Sequence, residues 1–275
     1  MRLTAIASGS SGNCIYVGSD TTHLLVDVGI SGKKVVEGVN GLNLDMTDID
    51  GILITHEHSD HIGGLGVIAR KYGIPIYATP GTKSEILNPR YRLGDIDPDL
   101  ICEIYPDDNL TIKDIKINPM RISHDAKDPV AYRFKCENRK AAVVTDLGTY
   151  NDYIVESLKG MNALFLEANH DVKMLQVGPY PYYLKQRILG DRGHLSNETA
   201  GNLLSEIIND DLCGVFLGHL SKENNLPELA YESVRVEVTM KEKEKELAHG
   251  NRGISINDIP LKVAKRSELS YVLEF

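Results

Sequence analysis

Short runs of apolar, largely β-branched residues recur along the chain at 3–7, 14–17, 24–28, 52–55, 74–78, 112–117, 130–136, 141–145, 163–166 and 215–217. Runs this short, bounded by Gly, Asp, Asn and Ser, predict strands, many of them buried on both faces. The period lengthens to that of a helix at 62–72, 152–159 and 197–208, where Ser196 and Thr199 give a partial capping signal. From 226 onward two patterns compete. Val234-Arg235-Val236-Glu237-Val238 alternates like a strand, but Asn225 and Pro227 in front, the charged run Lys241-Glu242-Lys243-Glu244-Lys245-Glu246 and Gly250 behind frame one long helix, which is the preferred reading. Closing strands are expected at 261–264 and 271–275. Strands come first, then strands mixed with helices twice over, which predicts an α/β (α+β) arrangement of sheets covered by helices rather than a doubly wound fold. No repeat, linker or composition break marks a boundary, so 1–275 reads as a single domain.

With 42% hydrophobic residues, the 275-residue chain has enough apolar surface for a large core, which excludes disorder. Its 30 basic and 39 acidic residues leave a formal charge of -9, which excludes coating of nucleic acid by bulk charge but leaves room for a local basic cleft. Cys14, Cys102, Cys136 and Cys213 are scattered without a C-x-x-C pair, so neither a disulfide framework nor a zinc ribbon is readable, and a reducing cytosol is the simplest setting. The apolar start of the chain is broken by Ser8-Gly9-Ser10-Ser11-Gly12 before it reaches signal-peptide length, and no apolar run is long enough for a membrane span. The expectation is a soluble cytoplasmic protein with no membrane partner.

Chemistry concentrates at Ile52-Leu53-Ile54-Thr55-His56-Glu57-His58-Ser59-Asp60-His61-Ile62-Gly63-Gly64, an apolar strand running into a loop that opens a helix. Four metal-ligating side chains, His56, His58, Asp60 and His61, fall within six positions. Such a group would repel or stay idle without a cation. In an extended turn His56 and His58 can point to one side, while Asp60 and His61 at the helix start can face a second ion nearby. Three further candidates each follow an apolar segment: His124, Asp146 and His219. Alone, each would be an ordinary strand-end cap; beside the cluster they read as ligands.

The H-x-H-x-D-H pattern followed by a distant His, an Asp and a final His resembles the metallo-β-lactamase fold superfamily over essentially the whole chain. The resemblance implies a four-layer αββα sandwich with a dinuclear metal site at one edge. It implies that His56, His58 and His124 hold one metal, Asp60, His61 and His219 the other, and that Asp146 bridges them. Asp27, in Leu25-Val26-Asp27-Val28-Gly29, matches an Asp that supports the metal loop. Gly193-His194-Leu195-Ser196 ahead of Leu217-Gly218-His219-Leu220-Ser221 looks like the nuclease-type members, which makes His194 the candidate general acid and, with Asp60, a candidate catalytic residue. The opening Ala7-Ser8-Gly9-Ser10-Ser11-Gly12-Asn13-Cys14, together with Glu167-Ala168-Asn169-His170-Asp171 and the segment after Gly218, is similar to the YycJ/WalJ group of bacterial proteins. That group is associated with double-stranded DNA exonuclease activity and with a cell-wall signalling locus. The group's Glu-Ser-Asn-His-Asp reads Ala168 in second place here.

These resemblances imply a phosphodiester hydrolase that uses two divalent ions, zinc, manganese or iron, most specifically a 5′ to 3′ exonuclease on duplex DNA. Ser10, Ser11 and Asn13 offer hydroxyls and N–H groups to a phosphate, or simply form a tight turn. His170 stands at the border of the site or caps a helix. Lys185, Arg187 and Arg192 form a short basic rim before His194, and Tyr180, Tyr182 and Tyr183 in the same stretch either stack bases or anchor a loop. Only 73 positions separate Asp146 from His219, too few for the large inserted domain of RNA-cleaving β-CASP enzymes. Two other readings remain open: a small-molecule, cyclic phosphodiesterase of the same fold, and a metal-bound regulator of cell-wall signalling without turnover.

Overall fold

A computed structural model describes residues 1–249 and 254–275. Their contacts form two compact units that alternate along the chain, so no single cut in the sequence separates them. The first is made of Met1–Arg121, Asp125–Arg139 and Ala264–Glu274, the second of Ile122–His124, Lys140–Val263 and Phe275.

In the first unit a seven-stranded sheet runs, in spatial order, through Leu273–Glu274 (β14), Arg2–Ala7 (β1), Cys14–Gly18 (β2), His23–Val26 (β3), Gly51–Leu53 (β4), Ile76–Ala78 (β5) and Ile101–Glu103 (β6). The pairs from β14 to β3 are antiparallel and those from β3 to β6 parallel. Chain length between strands explains the change: β2 and β3 are joined by a tight turn closed by the Ser19 N–H on Thr22 O, whereas parallel neighbours need a crossover. The crossovers are helices Gly32–Asn40 (α1), Ser59–Ile62 (α2) with Leu65–Tyr72 (α3), and Pro80–Ile86 (α4). Val35, Val39, Leu65, Ile68 and Ala69 on these helices join Leu25, Ile52 and Ile76 of the sheet in one apolar core.

Also in this unit, Leu110–Ile112 (β7), Ile115–Arg121 (β8) and Val130–Cys136 (β9) form an antiparallel ladder. Here the structure corrects one expected strand. The run 112–117 is a hairpin, with Ile112 facing Ile115 and Lys113 in the left-handed region at φ 48°. The two-residue turn demands that conformation, and neither Lys nor Asp advertises it as Asn-Gly would. The helix expected over 62–72 is likewise two helices, broken at Gly63-Gly64.

The second unit carries four parallel strands, Arg139–Val144 (β10), Ala163–Glu167 (β11), Gly214–Gly218 (β12) and Leu261–Val263 (β13). Its helices are Asp152–Leu158 (α5), Val172–Val177 (α6), Tyr182–Leu189 (α7), Asn197–Ile207 (α8) and Pro227–His249 (α9). β11 and β12 are buried along their whole length, as the unbroken apolar runs imply. The capping signal is realised, with Ser196 Oγ accepting the Thr199 N–H at 3.1 Å. The long C-terminal helix is present too: Val234 and Val238, which alternate with polar residues, are four positions apart on one buried helix face. Gly250, its expected stop, lies outside the described residues. The helices α1, α4, α6 and α7 and strand β6 go beyond what the pattern predicts.

Candidate metal centre and its supporting residues

In the first unit β3 delivers Asp27 and β4 delivers the histidine loop. Asp27 is fully buried in the left-handed region, φ 63°. Its Oδ1 accepts the Thr55 N–H at 2.8 Å and its Oδ2 accepts the Thr55 hydroxyl at 2.8 Å. The same Oδ2 stands 2.7 Å from His61 Nδ1, which fixes that ring nitrogen as the donor and leaves Nε2 with a lone pair. The His56 ring packs tilted on His61 at 4.1 Å and edge-on to His58 at 4.6 Å. Asp60 and His61 sit on the first turn of α2, where Asp60 Oδ2 is 3.6 Å from His61 Nε2. His58 and Asp125 approach to 3.8 Å.

The main chain of this loop is clamped from behind. Asp60 O accepts the Asn13 N–H at 2.8 Å, and His61 O accepts the Val28 N–H at 2.8 Å. Gly29 lies so close that a Cβ there would meet Asp60 O at 1.6 Å, so only glycine fits. Asn13 does more than shape the turn: its Oδ1 accepts the Gly9 N–H at 3.0 Å and its Nδ2 reaches His61 Nε2 at 3.2 Å. Ser10 and Ser11 stay exposed at the tip. Glu57, buried between two histidines, has Oε1 on the Lys127 N–H at 2.8 Å, which ties down the segment that carries Asp125.

In the second unit the carboxyl ends of three parallel strands converge. Asp146 follows β10, Glu167 ends β11 and His219 follows β12. Asp146 and His219 are both left-handed, at φ 56° and 53°, a conformation costing about 1 kcal/mol or more outside glycine and concentrated at functional sites. Asp146 Oδ1 lies 3.6 Å from His124 Nε2, 3.5 Å from His194 Nδ1 and 3.4 Å from His219 Nε2. Each of Asp146, Glu167, His194 and His219 offers one donor atom, all within 4.8 Å of one another. His124 Nδ1 faces Gly193 O at 3.1 Å, the usual support of a ligating imidazole. Arg192 directs two donors at His124 O, each at 3.1 Å, so it holds the histidine in place.

Glu167 is the residue that sequence reasoning missed. Fully buried, it holds His194 Nδ1 at 2.8 Å with Oε1, and takes the N–H groups of Leu147 and Leu195 at 2.8 and 3.2 Å with Oε2. A carboxylate closing an otherwise apolar strand was the available signal. His170 is buried as well, and neither ring nitrogen has a hydrogen-bond partner among the described residues. Burial, with a smaller push from His194, drops its pKa to about 4. Around it Asn169, Asn197 and Asn225 form a buried amide network, in which the Asn225 amide serves Ala168 O, Asn169 O and Asn197 Oδ1. Lys185 donates to Gln176 O at 2.7 Å, and Arg187 is exposed on α7.

Imidazole and carboxylate donors packed this tightly, with their outward nitrogens already oriented, fit a divalent metal cation. The profile of the Beta-lactamase superfamily domain matches residues 22–215, and the chain belongs to that superfamily of metal-dependent hydrolases, with its α/β sandwich fold. It also falls within the YycJ/WalJ group: it is 44% identical over 234 residues to exodeoxyribonuclease YycJ of Bacillus anthracis, covering 85% of this chain and 88% of that protein. Exodeoxyribonuclease WalJ of Streptococcus pneumoniae is 42% identical over 230 residues, covering 84% and 85%. Among solved structures, the metallo-β-lactamase fold protein YhfI of Bacillus subtilis covers 98% of the chain, and the chain 97% of it, at a TM-score of 0.68 and 17% identity. Among the described residues no helix is long and apolar enough to cross a membrane.

Proposed function

We propose that the protein is a cytoplasmic, two-metal exodeoxyribonuclease that digests double-stranded DNA from the 5′ end. Two divalent ions would be held by His56, His58 and His124, and by Asp60, His61 and His219, with Asp146 shared. Bound there, they supply acidified water and charge neutralisation at the phosphate. Asp27 orients His61, Asn13 positions the loop that carries Asp60, and Arg192 steadies His124. Asp60 serves the reaction as a ligand. His194 gives a proton to the departing sugar oxygen, and Glu167 holds its ring through Nδ1 so that Nε2 is the working nitrogen. Ser10 and Ser11 at the exposed turn, with Lys185 and Arg187, contact phosphates away from the cleaved bond. His170 lies beside this apparatus and keeps the loop of His194 in register.

The observation that carries this reading is the Glu167–His194 pair beside Asp146, an oriented proton donor next to candidate ligands, in a chain so similar to two exodeoxyribonucleases. The test is to incubate manganese-loaded protein and a His58→Ala variant with end-labelled duplex DNA. Stepwise release of mononucleotides from the 5′ end by the wild type alone is expected. Intact DNA with metal demonstrably bound would overturn the nuclease reading and direct the search to small phosphodiesters.

A further inference from the structure

Helix α7 is unusual in what it leaves outside. Of its eight residues only Ile188 is buried, while Tyr182 and Tyr183 are 76% and 74% exposed. Two large aromatic rings held in water cost solvation with little packing in return, and Val177 of α6 is exposed as well. The segment is nonetheless stiff. Gly178-Pro179-Tyr180-Pro181 leads into it with two prolines, and Lys185 Nζ ties α7 back to α6 through Gln176 O.

Its charge departs from that of the molecule. Between residues 172 and 190 stand Lys173, Lys185 and Arg187 and no acidic residue, in a chain whose net charge is -9. Exposed aromatic faces among cations, in an otherwise acidic protein, match a stretch of polyanion with stackable bases.

The helix is also coupled to His194. The His194 N–H bonds Ile188 O at 3.0 Å, and the Gly193 N–H bonds Gly190 O at 2.7 Å. Tyr183 is five residues before Ile188, about 8 Å along a helix rising 1.5 Å per residue. That is about two steps of stacked bases at roughly 3.4 Å each.

We infer that α7 is a stacking platform, with Tyr182 and Tyr183 receiving unpaired nucleobases of the DNA strand adjacent to the phosphodiester being cleaved, and Lys185 and Arg187 steadying its phosphates. This rests on the nuclease reading above. It gives that reading a means of holding a frayed strand end on an acidic protein.

The test measures anisotropy of a fluorescein-labelled single-stranded oligonucleotide on metal-loaded protein in a His194→Ala background, so that binding is read without turnover. Replacing both tyrosines by Ala should weaken binding by about tenfold or more, as loss of stacked bases does, whereas replacing both by Phe should keep it within about twofold. Hydrolysis of bis(p-nitrophenyl) phosphate by otherwise wild-type protein carrying the Ala pair should be unchanged, which shows an intact fold and metal site. Unchanged oligonucleotide affinity in the Ala pair overturns the platform and leaves the nuclease reading standing. A dimer of the wild type that the Ala pair abolishes assigns the patch to a second copy and also overturns it. If wild-type protein degrades no duplex DNA, the nuclease reading falls and takes the platform with it.

Discussion

Asp27 Oδ2 lies 2.7 Å from His61 Nδ1, with both side chains sealed from solvent. An ionised carboxylate only accepts, so the ring proton sits on Nδ1. In Asp27→Asn the amide oxygen can still take the Thr55 N–H, but its NH2 then faces the Thr55 hydroxyl and His61, and the histidine proton moves to Nε2. Asn also tolerates the left-handed backbone. Zinc affinity, read by competition with a coloured chelator, should fall about 10- to 100-fold, with the circular dichroism spectrum unchanged. An affinity equal to that of the wild type would mean that His61 is not a ligand whose tautomer matters.

Glu167→Gln separates orientation of His194 from metal binding. On DNA, whose sugar alkoxide must be protonated as it leaves, kcat should drop by about 100-fold or more, with KM little changed. On bis(p-nitrophenyl) phosphate, whose leaving group needs no proton, the loss should stay below about tenfold. His194→Ala should show the same split, and the double variant should be no worse than the weaker single. Equal losses on both substrates would place Glu167 in support of the metal instead.

His170 makes stability depend on pH. Its folded pKa of about 4 lies below the ordinary value of 6.5, so between them the unfolded chain binds the extra proton. Stability is therefore intact above pH 6.5, declines as pH falls towards 4, and levels off below. From pH 7 to pH 5 this residue should cost about 2 kcal/mol, since a tenfold difference in proton affinity between the folded and unfolded chain is worth about 1.4 kcal/mol. Urea unfolding of chelator-treated protein at those two pH values measures it, and His170→Leu should remove that part of the decline. A decline identical in both proteins would assign the acid sensitivity to other groups.

The candidate metal loop was legible because its four potential donors, His56, His58, Asp60 and His61, lie within six positions, so local spacing alone exposed it. Asp27, His124, Asp146 and His219 stood out only as polar residues closing apolar strands, and the family pattern gave them their order. Glu167 closes a strand in the same way, but its partner His194 is 27 positions on, and only the folding of β11 beside the loop after α7 brings them together. Helix α7 escaped because a single buried residue leaves no apolar period to detect. Helix α1 escaped because Val35, Val36 and Val39 are β-branched and Gly38 is a poor helix former. The β7–β8 hairpin was missed because a left-handed lysine leaves no trace in composition.

The first sheet also joins residues from opposite ends of the chain. β1 pairs with β14, the Ser270 N–H reaches Ala5 O at 2.8 Å, and the Thr4 hydroxyl reaches Tyr271 O at 2.9 Å. During translation the outer edge of β1 is therefore bare from its emergence until residue 274 appears, on the order of 10–50 s at ribosomal speed. An exposed edge of that kind invites pairing with another nascent chain. The appearance of β14, well after every candidate ligand has been made, is the event that closes this edge.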